Sequence, residues 1–188
     1  MQVHTHDGVR SSPRDHQVGS SLIIVTDRTE AALATYRQMV ATRDRIEGGE
    51  LPWSALADYF TENAVYIDSA WGRFEGLPAI KQFMADSMMG LEDWRFPEEW
   101  TMADGDRVVS MWWNQLPGSR ADGSPYRVAG ISVLRYAGDG KFDYEYDVFN
   151  MQQVLEVITE SGWKPTGPMN APPDPPNRDA TPPPRADR

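Results

Sequence analysis

The second half of the chain alternates apolar and polar residues with a period of two, the pattern of strands that bury one face. Turn signals rich in Gly, Asp and Pro interrupt the alternation at 103–105, 117–123 and 138–140. They separate four predicted strands, namely Trp94–Met102, Arg107–Leu116, Tyr126–Ala137 and Lys141–Asn150. Because consecutive strands joined by tight turns usually pair, we expect an antiparallel meander.

The first half shows helical spacing instead. The apolar face of the first predicted helix consists of Leu33, Tyr36 and Val40, and Arg43 continues it. Asp27 and Glu30 predict a capping box at the start of this helix, and Gly48 with Gly49 predicts its end.

Three more elements precede the strand-rich half. Trp53–Phe60 predicts a second, short helix entered through Pro52, and Ala64–Ala70 alternates as a strand. A third helix begins near Pro78, and a final short helix follows the last strand. Helices placed first and strands placed later predict an α+β fold rather than a doubly wound one.

The length of 188 residues is typical of one domain with tails. Residues 1–19 are polar and aperiodic and predict a disordered arm, whereas residues 20–163 carry the periodic pattern of the domain. Residues 164–188 contain nine prolines in 25 residues, so this tail should be extended or disordered. It is either a solubilising tail, a ligand for a proline-recognising module, or a strap over a neighbouring subunit.

The composition narrows the chemistry of the domain. The chain has no cysteine, and its three histidines all lie in the arm, at His4, His6 and His16. Neither a thiolate nor an imidazole is therefore available in the domain, and we expect no metal and no cofactor. Acid–base chemistry must fall to carboxylates.

The formal net charge of −10 argues against nucleic acid and anionic membranes as partners, since both bind basic patches. No signal-peptide pattern is visible, and the longest aliphatic run, Leu22–Val25, is too short to span a membrane. A cytoplasmic protein is expected.

Two segments carry a resemblance to a known superfamily. ALADYFTENAVYIDSAWGRFEGLPAIKQFM (Ala55–Met84) and VLRYAGDGKFDYEYDVFNMQQVLEVI (Val133–Ile158), with the order of elements, resemble the nuclear-transport-factor-2-like superfamily. It includes SnoaL-like polyketide cyclases, ketosteroid isomerases and limonene epoxide hydrolases. The resemblance implies a curved, mainly antiparallel sheet that the N-terminal helices wrap into a cone with an internal apolar pocket.

The resemblance also implies roles for single residues. In the ketosteroid isomerases, the residue in the place of Asp68 is the base that shuttles a proton, but Ser132 stands where their oxyanion hole has an acid. The polyketide cyclases need little more than one carboxylic acid in an apolar pocket, which this chain has in Asp68.

In the limonene epoxide hydrolases, a Tyr, an Asn and an Asp hold a water, and an Arg–Asp pair protonates the epoxide. Tyr66 and Asp147 match the Tyr and the Asp, and Asp68 replaces the Asn. Trp112 and Asn114 stand where the Arg and Asp are expected, so the acid half of that mechanism is missing.

Alternation places Tyr66 with Asp68 on one strand face, Trp112 with Asn114 on another, and groups Asp143, Glu145, Asp147 and Phe149 on a third. In a closed cone, five of these side chains converge on one pocket. We expect Asp68 and Asp147 to be the catalytic carboxylates, and Tyr66, Trp112 and Asn114 to contact the substrate.

Structural interpretations of the same acids remain open. Asp68 could cap the turn that follows it and pair with Arg73, and Asp147 could pair with Arg127 or Arg135 across the strands.

The favoured function is a cofactor-independent isomerase, cyclase or lyase that moves a proton on an apolar polycyclic or polyketide-like molecule. The alternatives are a noncatalytic ligand-binding or dimeric accessory protein and, third, an epoxide hydrolase. An aromatic outer sheet face would favour a homodimer.

Overall fold

The computed structural model describes the backbone of residues 18–185 and the side chains of residues 28–185. The predicted arm, including its histidines, lies outside the described residues except for residues 18 and 19. The elements run in chain order as α1 (Val18–Glu47), a 3₁₀ helix (Trp53–Tyr59), β1 (Phe60–Asp68), β2 (Gly72–Glu75), α2 (Leu77–Asp86), β3 (Glu98–Asp104), β4 (Arg107–Ser119), β5 (Pro125–Gly138), β6 (Lys141–Phe149) and α3 (Met151–Ser161). No helix in this part of the chain is long and apolar enough to cross a membrane.

Three elements begin more than one residue away from the predicted position, namely α1, β3 and β1, which is Phe60–Asp68 instead of Ala64–Ala70. Helix α1 begins at Val18, so Asp27 and Glu30 lie inside it and the predicted capping box is wrong. No Gly or Pro interrupts 20–47, so nothing breaks the helix there. The predicted strand from Trp94 starts only at Glu98, because Pro97 has no N–H to continue a ladder.

The sheet confirms the predicted α+β fold. Its six strands lie in the order β2-β1-β6-β5-β4-β3, and it is curved but does not close on itself. Strands β1 and β6 are parallel, and every other neighbouring pair is antiparallel. The four-stranded antiparallel meander from β3 to β6 follows the prediction, whereas the four-residue strand β2 was not predicted.

One row of paired residues crosses the sheet and positions the site. Asp68 in β1 lies opposite Asp147 in β6, and Asp147 lies opposite Ser132 in β5. Ser132 in turn lies opposite Ser110 in β4. Paired residues on neighbouring strands point to the same face. Four buried polar side chains therefore enter the interior side by side.

Two apolar clusters flank this row on the inner face of the sheet. The larger lies under α1, the 3₁₀ helix and α2, and includes Tyr36, Phe60 and Phe83. The smaller lies under α3 and includes Trp94 and Leu116. Asn150 caps α3, since its side chain accepts hydrogen bonds from the second and third residues after it. The helices thus cover a space into which the polar row points.

The proline-rich tail lies against its own domain. The backbone N–H of Arg73 donates to the Asn177 carbonyl at 2.9 Å, and the Arg73 guanidinium donates to the Thr181 carbonyl at 2.6 Å. Further along, Tyr144 donates to the Ala180 carbonyl. Proline leaves backbone carbonyls free to accept, and arginine and tyrosine side chains of the domain use them.

We predict that Gly72→Ala releases the tail. Gly72 has a φ of +87°, and a Cβ there would lie 2.6 Å from the Asn177 carbonyl oxygen. Amide hydrogen exchange at Arg73 should accelerate, because its hydrogen bond to Asn177 is lost. Gly123→Ala is the matched control, since Gly123 has a φ of +85° and no atom near the added methyl. Equal exchange rates in the two variants would contradict the prediction.

Candidate active site

A cavity of about 320 Å³ lies between the inner face of the sheet, the helices and the tail. All five residues predicted from the sequence line it: Tyr66, Asp68, Trp112, Asn114 and Asp147. Its walls are mainly apolar, and the aromatic residues among them are Tyr36, Trp53, Tyr66, Trp71, Phe83, Trp94, Phe96, Trp112, Phe149 and Trp163. Such a cavity suits an apolar, ring-containing ligand.

Asp147 is the best-connected polar group of the cavity. Tyr66 donates its hydroxyl to Asp147 Oδ2, and Ser132 donates to Oδ1, both at 2.5 Å. Trp112 Nε1 donates to Ser132 Oγ at 2.8 Å, which leaves the serine proton for Asp147. Each carboxylate oxygen therefore receives a directed hydrogen bond, an arrangement that favours the ionised form.

Gly130 makes this arrangement possible. It is paired with Trp112 across β4 and β5, and a Cβ at Gly130 would lie 2.7 Å from the indole ring of Trp112. Without a side chain there, the indole can lie over the strand and place Nε1 against Ser132. Phe96 and Phe149 contact the same ring edge to face.

Glu145 is a cavity residue that the sequence reasoning did not select. It precedes Asp147 by two positions on β6, is 3% exposed and lines the same cavity. The period-two grouping had placed it on the face of Asp147, so the signal was present. Its Oε2 is buried without a hydrogen-bond partner among the described residues.

Burial raises the pKa of both β6 carboxyl groups, which disfavours a negative charge on the two at once. Burial raises the pKa of Glu145 well above its ordinary value, and the negative charge of Asp147 raises it further. Burial also raises the pKa of Asp147, but the hydrogen bonds from Ser132 and Tyr66 oppose the increase. We therefore assign the proton to Glu145, where it donates toward Asp147, and the negative charge to Asp147.

Asp68 caps the turn that follows it and also lines the cavity. Its Oδ1 accepts hydrogen bonds from the backbone N–H groups of Ala70 and Trp71, at 2.7 and 2.8 Å, so it caps the turn. It also lines the cavity, and burial raises its pKa to about 6 despite those hydrogen bonds. Arg73 pairs with Glu75 rather than with Asp68.

The arginines considered for Asp147 lie elsewhere. Arg127 stacks on Trp113, 3.8 Å from the ring centroid, and Arg135 pairs with Asp143 at 2.7 Å. Asn114 makes one long hydrogen bond, 3.5 Å, to the Val128 carbonyl, which leaves its amide available to a ligand. Among the described residues, no group of three His, Cys, Asp or Glu side chains is placed to hold a metal ion.

The C-terminal tail completes the wall of the cavity. Met169, Asn170 and Pro172 line it together with Leu155 of α3, whose side chain is 57% exposed. Asn170 donates to Asp86 Oδ1 at 3.2 Å, and the tail lies so close to Gly90 that a Cβ there would meet Met169 at 2.7 Å. The tail thus belongs to the cavity and not only to the outer surface.

We predict that Asp68→Asn stabilises the fold increasingly as the pH rises. The folded-state pKa of about 6 exceeds the ordinary 3.8, so the wild type loses stability between these pH values, because the carboxyl ionises in the unfolded chain while burial keeps it protonated in the folded one. The loss is at most about 3 kcal/mol. Asn keeps the accepting oxygen of the turn. Urea unfolding at pH 4 and pH 8 measures the difference, with the exposed Asp104→Asn as control. A stability difference that shrinks with rising pH would contradict the assignment.

Comparisons with known proteins agree with this geometry. The sequence profile of the SnoaL-like domain matches residues 36–144. A comparison with curated protein sequences gives no match.

Solved structures share the fold. A protein described as a SnoaL-like polyketide cyclase from Jannaschia sp. has 17% sequence identity and a TM-score of 0.55, covering 78% of this chain and 98% of its own. A second protein described as a SnoaL-like polyketide cyclase, from Shewanella putrefaciens, has 12% sequence identity and a TM-score of 0.54, and the alignment covers 81% of this chain and 99% of that protein. Bal32a, from a soil-derived mobile gene cassette, has 18% identity and a TM-score of 0.53, covering 69% and 98%. Since the profile spans more than half of the sequence and the fold agrees, the chain belongs to the SnoaL-like domain family.

Proposed function

We propose that this protein is an isomerase, cyclase or lyase that moves a proton on an apolar polycyclic or polyketide-like molecule. The observation that carries the proposal is the pair of buried carboxyl groups, Asp147 and Glu145, two positions apart on β6 and lining the same cavity, whose pKa values are both raised by burial. An ionised and a protonated carboxyl side by side supply a base and an acid without a cofactor. The SnoaL-like polyketide cyclases among the structural relatives support the substrate class.

The proposed step begins with a C–H bond next to a carbonyl group. Asp147 takes the proton, and the electrons of the C–H bond move onto the carbonyl oxygen to form an enolate. Asp147 then returns the proton to another carbon in an isomerase. In a cyclase the enolate carbon attacks a second carbonyl group, whose oxygen takes the proton back from Asp147. In a lyase the enolate expels a leaving group from the next carbon, and the proton leaves with that group. Tyr66 and Ser132 hold Asp147 in place throughout.

Glu145 and Asp68 tune the base. When the proton of the pair resides on Glu145, Asp147 remains ionised and can accept a proton from the substrate. Asp68, with a pKa of about 6, changes its charge within the range in which many enzymes work. Trp112 and Asn114 line the same cavity, where the indole packs on a ring and the amide binds an oxygen.

A noncatalytic ligand-binding protein is the second candidate. The aromatic walls would bind a ring system in either case, so binding alone does not separate the two functions. The paired carboxylates favour catalysis, because a buried charge costs folding free energy that a simple binding protein has no need to spend.

We predict that the protein accelerates exchange of the α-protons of 2-tetralone in D₂O, and that Asp147→Asn lowers the rate by about 10²–10⁴-fold. The tetralone is a small bicyclic ketone that fits the cavity, and Asn keeps the shape of Asp but cannot take a proton. Loss of the α-proton signal, followed by NMR, measures the rate.

Asp104→Asn is the control, because Asp104 is exposed and outside the cavity. Binding of the tetralone by the wild type without accelerated exchange would favour the ligand-binding function. Exchange that persists in Asp147→Asn would remove Asp147 from the mechanism.

A further inference from the structure

Arg43 is a cationic side chain in the cavity that the proposed chemistry does not use. It lies on α1, lines the cavity, and its side chain is 13% exposed. Its Nε is buried and makes no hydrogen bond to the described residues. A largely buried guanidinium whose N–H groups make no hydrogen bond lowers the stability of the fold unless an acceptor binds them.

The carboxylate of Glu47 is near Arg43 but does not form a hydrogen bond with it. Glu47 Oε1 lies 3.8 Å from Arg43 Nε, beyond hydrogen-bonding distance. The same Oε1 accepts the backbone N–H of Phe96 at 3.0 Å, and Oε2 lies 3.9 Å from Arg95 Nε. Glu47 is therefore shared among three groups and leaves Arg43 largely unpaired.

A second unused donor lines the same cavity. Trp94 Nε1 is buried and has no hydrogen-bond partner among the described residues, although the indole is 4% exposed and packs edge to face on Trp163. A buried indole N–H normally finds an acceptor. Both unused groups are donors, so the missing partner is an acceptor, and the positive charge of Arg43 favours an anionic one.

The acids of the cavity occupy the sheet side instead. Asp68, Asp147 and Glu145 point inward from β1 and β6, whereas Arg43 extends from α1. The positive charge of Arg43 opposes the increase in the pKa of Glu145 and of Asp147, but among the described residues no hydrogen bond joins Arg43 to either acid, so its N–H groups remain available to a ligand.

We propose that Arg43, with Trp94, binds an anionic oxygen of the ligand while its ring system lies between the aromatic walls. The oxygen is either a carboxylate that the substrate carries or the enolate oxygen formed when Asp147 takes a proton; the latter source rests on the proposed function. Arg43 binds a substrate carboxylate as soon as the complex forms, but it binds an enolate oxygen only as negative charge develops on that oxygen during proton removal.

Three naphthalene probes of similar size test the subsite by titration against the full chain. These are 2-naphthoate, which carries a carboxylate, 2-naphthol, whose absorption shows whether it binds as the enolate-like naphtholate, and the uncharged 2-methoxynaphthalene. The wild type should bind at least one anionic probe more tightly than the uncharged one. Arg43→Met should weaken that anionic probe about 10-fold or more and leave 2-methoxynaphthalene unchanged.

Arg37→Met is the matched control, because Arg37 is an exposed arginine on the same helix. Arg43→Lys should keep part of the preference, since it retains the charge but not the planar set of donors. If Arg43→Met does not fold, Arg43→Gln takes its place. A preference for naphthoate identifies a substrate carboxylate, and a preference confined to naphtholate identifies the enolate.

No preference in the wild type, or equal weakening of all three probes by Arg43→Met, would overturn the subsite. Because the titration reads binding, its outcome is separate from proton exchange through Asp147. A protein that exchanges the tetralone proton but shows no preference that depends on Arg43 contradicts the subsite and leaves the proposed function standing.

Discussion

Asp147 is buried without an ion-pair partner among the residues that the structure describes, and the rest of the site depends on this constraint. A carboxylate taken out of water must receive hydrogen bonds, lose its charge or be paired. Here two hydroxyl groups, from Tyr66 and Ser132, donate hydrogen bonds to the carboxylate, and burial raises the pKa of the neighbouring Glu145. The apolar walls provide no other hydrogen bonds to Asp147, so the two hydroxyl groups are needed. The low polarity of the surroundings also makes their hydrogen bonds to the carboxylate stronger.

Strand register is what brings the necessary groups together. The parallel pairing of β1 with β6 places Asp68 beside Asp147, and the antiparallel pairing of β6 with β5 places Ser132 on its other side. A shift of either pairing by one residue would turn one side of the row out of the cavity. The fold therefore positions these side chains through the backbone pairing of β1, β6 and β5.

Much of this arrangement could be predicted from the sequence. Strict alternation and clear turn residues made β4, β5 and β6 recognisable, and the same alternation grouped the side chains that share a face. Glu145 was grouped correctly but not selected, because alternation shows a face and not how deeply a side chain is buried. Arg43 was recognised only as a continuation of the apolar face of α1.

Other features depend on contacts between distant parts of the chain and could not be predicted. Strand β2 has four residues, too few to show a period, and forms because β1 offers an edge. The proline content predicted an extended tail, but its position is decided by donors such as Arg73 and Tyr144, whose partners are backbone carbonyls. A carbonyl is present at every residue, so composition cannot reveal which one is used.

The position of the tail has a consequence for how such proteins diverge. Met169, Asn170 and Pro172 help to line the cavity, although they lie beyond the last strand and the last helix of the fold. These residues belong to a segment without helix or strand, in which insertions and substitutions leave the sheet and its carboxylates undisturbed. Substitutions in the tail can therefore change the lining of the cavity while Asp68, Glu145 and Asp147 stay as they are.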